Sequence, residues 1–104
     1  MQAELYELRG QIFEWDRDKH LANIRKHGVT FKSAAQAFFD PDSDIYEDEE
    51  HSQAEDRFVL IGKDESKRIL TVCHCCRGEN ESITRIISAR KATKYEEKLY
   101  GGDV

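Results

Sequence analysis

No apolar run in this 104-residue chain approaches the ~20 residues that a membrane-spanning helix needs, and no basic-then-apolar leader opens it. These absences point to a soluble protein of the cytoplasm with no membrane partner. One proline and six glycines exclude fibrous and low-complexity classes. The only cysteines, Cys73, Cys75 and Cys76, are too few and too crowded for a disulfide framework, and they fit a reducing compartment. Also missing are G-x-x-x-x-G-K-[ST], G-x-G-x-x-G, G-x-S-x-G and H-E-x-x-H, so nucleotide-cofactor, serine-hydrolase and zinc-peptidase readings have no support. Reactions that need only positioned side chains, and no cofactor, remain.

What is present is a polar but foldable composition: 38% hydrophobic, 36% charged and 10% aromatic residues. At this length it makes one domain, residues 1–104, around a single core. The net charge of −5 is unpromising for a nucleic-acid partner, but it is unevenly spread. Residues 42–56 (DSDIYEDEEHSQAED) hold eight acids and no Lys or Arg, which leaves 13 acids against 16 bases elsewhere. A mildly basic body with one acidic edge is the better description, and a charged ligand responds to local sign.

Met1–Gly10 reads as a loosely held extension that Leu5 and Leu8 could help to pack. Ile12–Trp15 is a short apolar-rich strand, and Asp16 caps a helix over Arg17–His27 with Leu21 and Ile24 turned inward and Lys19, Asn23 and Lys26 on other faces. Gly28 ends it, since a residue without Cβ accepts the left-handed turn. Thr30 caps a second helix in which Phe31, Ala34, Ala35 and Phe38 recur at helical spacing until Asp40-Pro41. The period then falls to two: Ile45–Asp48, Phe58–Gly62, Ile69–Cys75 and Ser82–Ser88 read as an antiparallel meander. Thr93 and Glu96 form a capping-box pattern for a last helix ended by Gly101-Gly102. The expectation is an α+β fold: a single antiparallel sheet of four to five strands, two N-terminal helices and one C-terminal helix, with the helices on one face and Trp15 and Phe38 in the core.

Among reactive groups, Cys73 and Cys76 have C-x-x-C spacing around His74, but strand alternation puts Cys73 and Cys75 on one face and His74 with Cys76 on the other. No second pair exists, so small core fillers are the plainer role, with a metal-dependent protein using Cys73, Cys76 and a histidine as a remote third reading. His27 at a helix C-terminus and His74 late in a strand are candidates for moving protons near neutral pH, while His20 and His51 read as surface residues. Alternation roots Arg85 among Ile83 and Ile87, where a guanidinium needs a partner: an internal carboxylate, or the phosphate of a ligand. Arg90 follows in the strand-to-helix connection, Arg57 opens a strand beside the acidic run, and Lys19 and Lys26 lie on the first helix. His, Lys and Arg suffice for RNA cleavage, because the substrate brings its own nucleophile, the 2′-hydroxyl.

Several segments together carry a resemblance. Phe13-Glu14-Trp15-Asp16, Lys19, Asn23 and Lys26-His27-Gly28-Val29 followed by Phe31, Ala34 and Ala35 resemble the opening of the BrnT toxins. Phe39-Asp40-Pro41, Asp56-Arg57-Phe58-Val59-Leu60-Ile61-Gly62 and Arg85 to Thr93 (RIISARKAT) continue it in order, so that it runs from about Ile12 to Tyr100. The resemblance implies a RelE-like endoribonuclease of a type II toxin–antitoxin pair that cuts RNA by 2′-hydroxyl attack without metal and slows bacterial growth. It also implies neutralisation by a BrnA-like ribbon-helix-helix antitoxin, through which alone the protein would touch DNA. By the same carry-over, Lys26 and His27 with Arg57, Arg85 and Arg90 surround the scissile phosphate. In that arrangement His27 or His74 serves as base or acid, Arg85 and Arg90 clamp the phosphate, and Lys19 or Lys26 contacts the backbone. The rival class is a non-catalytic binding module in which the same fold holds RNA or an acidic protein.

Overall fold

The computed structural model describes residues 2–51 and 55–100. Its strands are β1 (Ala3–Leu8), β2 (Gln11–Asp16), β3 (Asp44–Glu47), β4 (Phe58–Lys63), β5 (Ile69–Arg77) and β6 (Ile83–Lys91), and its helices α1 (Arg17–His27), α2 (Phe31–Ala37) and α3 (Lys94–Leu99). The six strands form one sheet in the order β1-β2-β6-β5-β4-β3. The meander expected from period-two spacing runs through β3, β4, β5 and β6, all antiparallel. Two features correct the expected sheet: it has six strands, and β2 lies parallel to β6, with Ile12 opposite Ile83 and Glu14 opposite Arg85. The chain that leaves β2 crosses through both helices and the meander before returning beside it, so this pairing joins residues some 71 positions apart, which local pattern does not report.

The supposed N-terminal extension is the edge strand β1. Its hairpin to β2 turns through Arg9 and Gly10, both at positive φ, as a tight primed turn requires. Tyr6 and Leu8 pack against the core, and the Trp15 indole N–H donates to Glu4 at 2.9 Å, so side chains on alternate positions anchor a strand that otherwise looks polar.

Helix α1 has the bounds expected: Asp16 accepts from the Lys19 N–H, and Gly28 takes the left-handed conformation (φ 68°, ψ 20°). Its inward face is another matter. Leu21 (44% exposed) and Ile24 (36%) point away, and the buried residue is Asn23. Beyond Glu14, β2 no longer covers the edge of β6, and Asn23 takes its place. Its amide donates to Ala89 O (2.8 Å) and Val29 O (2.9 Å) and accepts from Ala89 N–H (3.1 Å), pairing with the strand edge as a peptide group would. A helix docked edge-on through one amide has no need of an apolar stripe.

Helix α2 follows its expected pattern, with Thr30 as cap and Phe31, Ala34, Ala35 and Ala37 buried. It packs with Phe13, Trp15, Val29, Leu60, Leu70, Val72, Ile86 and Ala89 into the core on one face of the sheet. Gly62 is required beneath it, since a Cβ there would stand 2.7 Å from Ala37 O. Helix α3 opens with the expected capping box of Thr93 and Glu96, but it docks on the other face, through Thr71 and Arg90. The helices therefore do not share one side of the sheet. Gly101 and Gly102, expected to end α3, lie outside the described residues.

Candidate active site

Cross-strand partners in a sheet share a face, so the register defines what stands opposite the core. Val72 pairs with Ala89 and His74 with Ile86 on the core side; Thr71 with Arg90, Cys73 with Ser88 and Cys75 with Arg85 fall on the opposite side, termed the open side although it is only partly open, because Thr71 and Cys75 are buried on it. Arg85 and Arg90 are separated by an odd number of residues and strict alternation would send them to opposite faces. A bulge resolves this. The β5–β6 register shifts between Cys73 and His74, leaving Ile87 as an extra residue on β6. That one residue turns the phase of the strand, and both arginines emerge on the same face. Their cross-strand partners, Thr71 and Cys75, are four residues apart, roughly 13 Å along the strand, a gap that two long arms can close on one phosphate or its neighbour.

Each arginine meets a carboxylate. Arg85 donates to Glu14 at 2.8 Å in a half-buried pair between neighbouring strands, the internal-acid outcome that its apolar setting anticipated. Arg90 grips Glu96 of α3 through both terminal nitrogens, at 2.7 and 2.9 Å. Glu96 also accepts from the Thr71 hydroxyl (2.9 Å) and the Thr93 N–H (2.8 Å). The Arg90 contact, against the opposing pull of burial, holds the Glu96 carboxyl down at about 2, and the same contact raises the Arg90 guanidinium.

The remaining candidates divide. At 100° per residue around α1, Lys19 and Lys26 lie on one side of Asn23, and His20 and His27 on the other. His20 marks the core side: it stacks on Phe31, sits edge-on to Trp15 and accepts the Phe31 N–H, so it is not the surface residue the sequence suggested. Lys19 and Lys26 accordingly flank the open face, whereas half-buried His27 closes the helix on the core side. His74 is 3% exposed on the core face, against Phe38 and Phe58, with its Nδ1 on the Val72 carbonyl; burial lowers its basicity. The structure thus brings Arg85, Arg90, Lys19 and Lys26 to one side and leaves both candidate histidines off it. Arg57 falls one residue beyond the last β4–β5 pair, opposite Cys75 and so in line with Arg85. His51 is exposed and bonded to Asp48.

Alternation of the cysteines is as expected, with Cys73 and Cys75 on the open face and Cys76 beside His74 in a small cleft under Phe38 and Phe39. Only Cys75 is a buried filler; its thiol is pushed up by burial, while Cys76 is exposed. Among the described residues no three His, Cys, Asp or Glu side chains gather as a metal site. Nor is any described helix long and apolar enough to cross a membrane.

Glu14, Asn23 and Thr71 are the site residues that sequence reasoning passed over. Glu14 had a signal, since it alternates with the core residues Phe13 and Trp15 and so faces away from them; its pairing with Arg85 had none, being fixed by a distant parallel register. Chemically the face offers guanidinium groups for phosphate charge, ammonium groups along its rim and a carboxylate beside the cation.

No curated protein matches the chain. The crystal structure of the Brucella abortus ribonuclease toxin BrnT aligns over 77% of this chain and 94% of its own, at 26% identity and a TM-score of 0.57. Residues 15–96 match the family described as the ribonuclease toxin, BrnT, of type II toxin–antitoxin systems. The chain belongs to that family.

Proposed function

We propose that this chain is itself an endoribonuclease toxin, cutting RNA by attack of the 2′-hydroxyl on the adjacent phosphorus without a metal, on the open face of the sheet. The observation that carries the reading is the Ile87 bulge, which sets Arg85 and Arg90 on one face where regular alternation would part them. Guanidinium groups suit a phosphate that gains charge in the transition state, and each such contact is worth roughly 100- to 1000-fold in rate. Lys19 and Lys26 on the flank of α1, with Arg57 in line with Arg85, hold the RNA backbone on either side. The reading gives the histidines no direct part. For Arg90 to meet phosphate, Glu96 must yield its place, so RNA and α3 compete for one guanidinium.

Purified protein incubated with total RNA tests this directly. Fragments with 2′,3′-cyclic-phosphate ends are expected from wild type and from His74→Gln, and are expected to vanish in Arg85→Ala. Growth arrest on expression alone, relieved by the product of a neighbouring ribbon-helix-helix reading frame, is the matching result in cells and identifies the BrnA-like antitoxin. Binding to DNA is expected only with that partner present.

A second reading has one observation in its favour: both arginines are already paired with carboxylates of the protein itself, as in a stable surface that binds without reacting. RNA that shifts on a gel with the protein and stays whole would select it.

A further inference from the structure

Cleavage on the open face needs a group there to take the proton of the attacking hydroxyl, and the histidines lie elsewhere. Four carboxylates border the face, and one of them, Glu55, is paired with Arg77 at 3.0 Å beside Cys75. Glu96 is fully engaged by Arg90, Thr71 and Thr93, which makes it a poor proton acceptor. Asp16 is 9% exposed; one oxygen caps α1 through the Lys19 N–H, and the other, Oδ1, is sealed from solvent with no hydrogen-bond partner. Glu14 differs from all three. Its Oε2 takes the Arg85 hydrogen bond at 2.8 Å, while Oε1 takes none among the described residues and is not among the sealed atoms, so it opens to solvent.

Glu14 also stands at a fork. It forms the last pair of β2 with β6 before the two strands part, and Asn23 covers the edge of β6 again only at Ala89. A phosphate held by the Arg85 guanidinium therefore brings the ribose next to its phosphorus up to the carboxylate bonded to that same guanidinium. Resting on the ribonuclease reading above, we infer that Glu14 is the catalytic base of this site, with Arg85 as the cation that orients it and meets the phosphate.

The step is balanced. A Glu14 oxygen takes the 2′-hydroxyl proton as the O2′ electron pair forms a bond to phosphorus. The bond from phosphorus to O5′ breaks and leaves its electron pair on O5′. Water gives O5′ a proton, and the hydroxide so formed takes the proton from Glu14. The products are a 2′,3′-cyclic phosphate and a 5′-hydroxyl, and the carboxylate is restored. Arg85 stays bonded to Oε2 throughout, which keeps the base aimed.

The test is the pH–rate profile of RNA cleavage by wild type, Glu14→Gln and Glu14→Ala, each checked for folding by circular dichroism. Gln keeps an oxygen for Arg85 and loses only the ability to take a proton. The inference predicts that Glu14→Gln lowers kcat by roughly 100-fold or more, leaves KM within about threefold, and erases the acidic limb of the profile. Formate should restore part of the rate to Glu14→Ala, which a role confined to structure would not produce. If the Gln protein is unfolded, Glu14→Asp carries the test: a reduced kcat with the acidic limb intact supports the base, and a lost limb overturns it. Cleavage by Glu14→Gln at the wild-type rate with an unchanged profile would overturn Glu14 alone, and the ribonuclease reading would survive. RNA left whole by wild type would overturn both.

Discussion

Asn23 shows how one amide replaces a strand. Its two N–H groups and its oxygen satisfy Val29 O and both backbone groups of Ala89, at 2.8 to 3.1 Å, with nothing left over. Asn23→Ala would strand those buried groups, and a buried polar group without a partner costs ~1–3 kcal/mol. The expected loss is therefore about 2–4 kcal/mol in chemical denaturation; a change below about 0.5 kcal/mol would mean that water repairs the edge. Sequence spacing set the residue on an outward face of α1 and in a motif, and nothing in its neighbours marks it as buried. Two histidines make a second case. Burial depresses the basicity of His74 and, despite Glu4 nearby, of His20, from a usual value of 6.5. The folded protein thus binds fewer protons than the unfolded chain, so stability is full above that value and falls as pH drops through it, by at most about 1.4 kcal/mol per pH unit for each histidine. His74→Gln should flatten this slope between pH 7 and 5 in thermal melts. An unchanged slope would show that folding leaves the proton affinity of His74 where it is in the unfolded chain.

Helix α3 is held to the sheet by chemistry more than by apolar burial: none of its six residues is buried. Glu96 reaches Arg90 and Thr71, and just past the helix Tyr100 donates to Asp40 at 2.6 Å. Because the folded Glu96 carboxyl lies near 2 against an ordinary 4.5, its stabilisation is present above 4.5 and is lost as pH falls toward 2. Glu96→Gln should therefore lower stability at pH 7, by about 1 kcal/mol given the exposure of Arg90, and make little difference near pH 2. An equal effect at both pH values would place the role of Glu96 in its capping box instead. The capping box itself was readable, as were the bounds of α1 and α2, because caps are local: Asp16, Thr30 and Gly28 act within a few residues of themselves. Strand β1 was not, since AELYEL owes its place to Trp15 and the core across the hairpin rather than to its own pattern.

For the whole molecule, sequence spacing gave the α+β class and the meander, but the parallel pairing of β2 with β6 and the Ile87 bulge decide which side chains meet. Both are long-range events of register. One residue of phase separates a strand that splits Arg85 from Arg90 and one that presents them together, and alternation read from sequence alone chooses the first. The same register carries Glu14 to Arg85 and turns His74 beneath the helices, which is why a cluster of arginines and histidines could be named from sequence and yet does not form. Of the acidic run that lowers the net charge, Asp44 and Glu47 lie on β3, at the edge of the sheet farthest from β1, while Glu55 turns back to pair with Arg77 of β5 at 3.0 Å.

The most direct measurement is a double-mutant cycle on the rate of RNA cleavage with Arg85→Ala, Arg90→Ala, the double variant and His74→Gln. Two arginines sharing one phosphate predict a loss of at least about 100-fold from each single substitution, a double loss well short of the product because the two act as a unit, and a His74→Gln protein that still cuts. Arginine variants that cleave at the wild-type rate, beside a histidine variant that does not, would contradict the account.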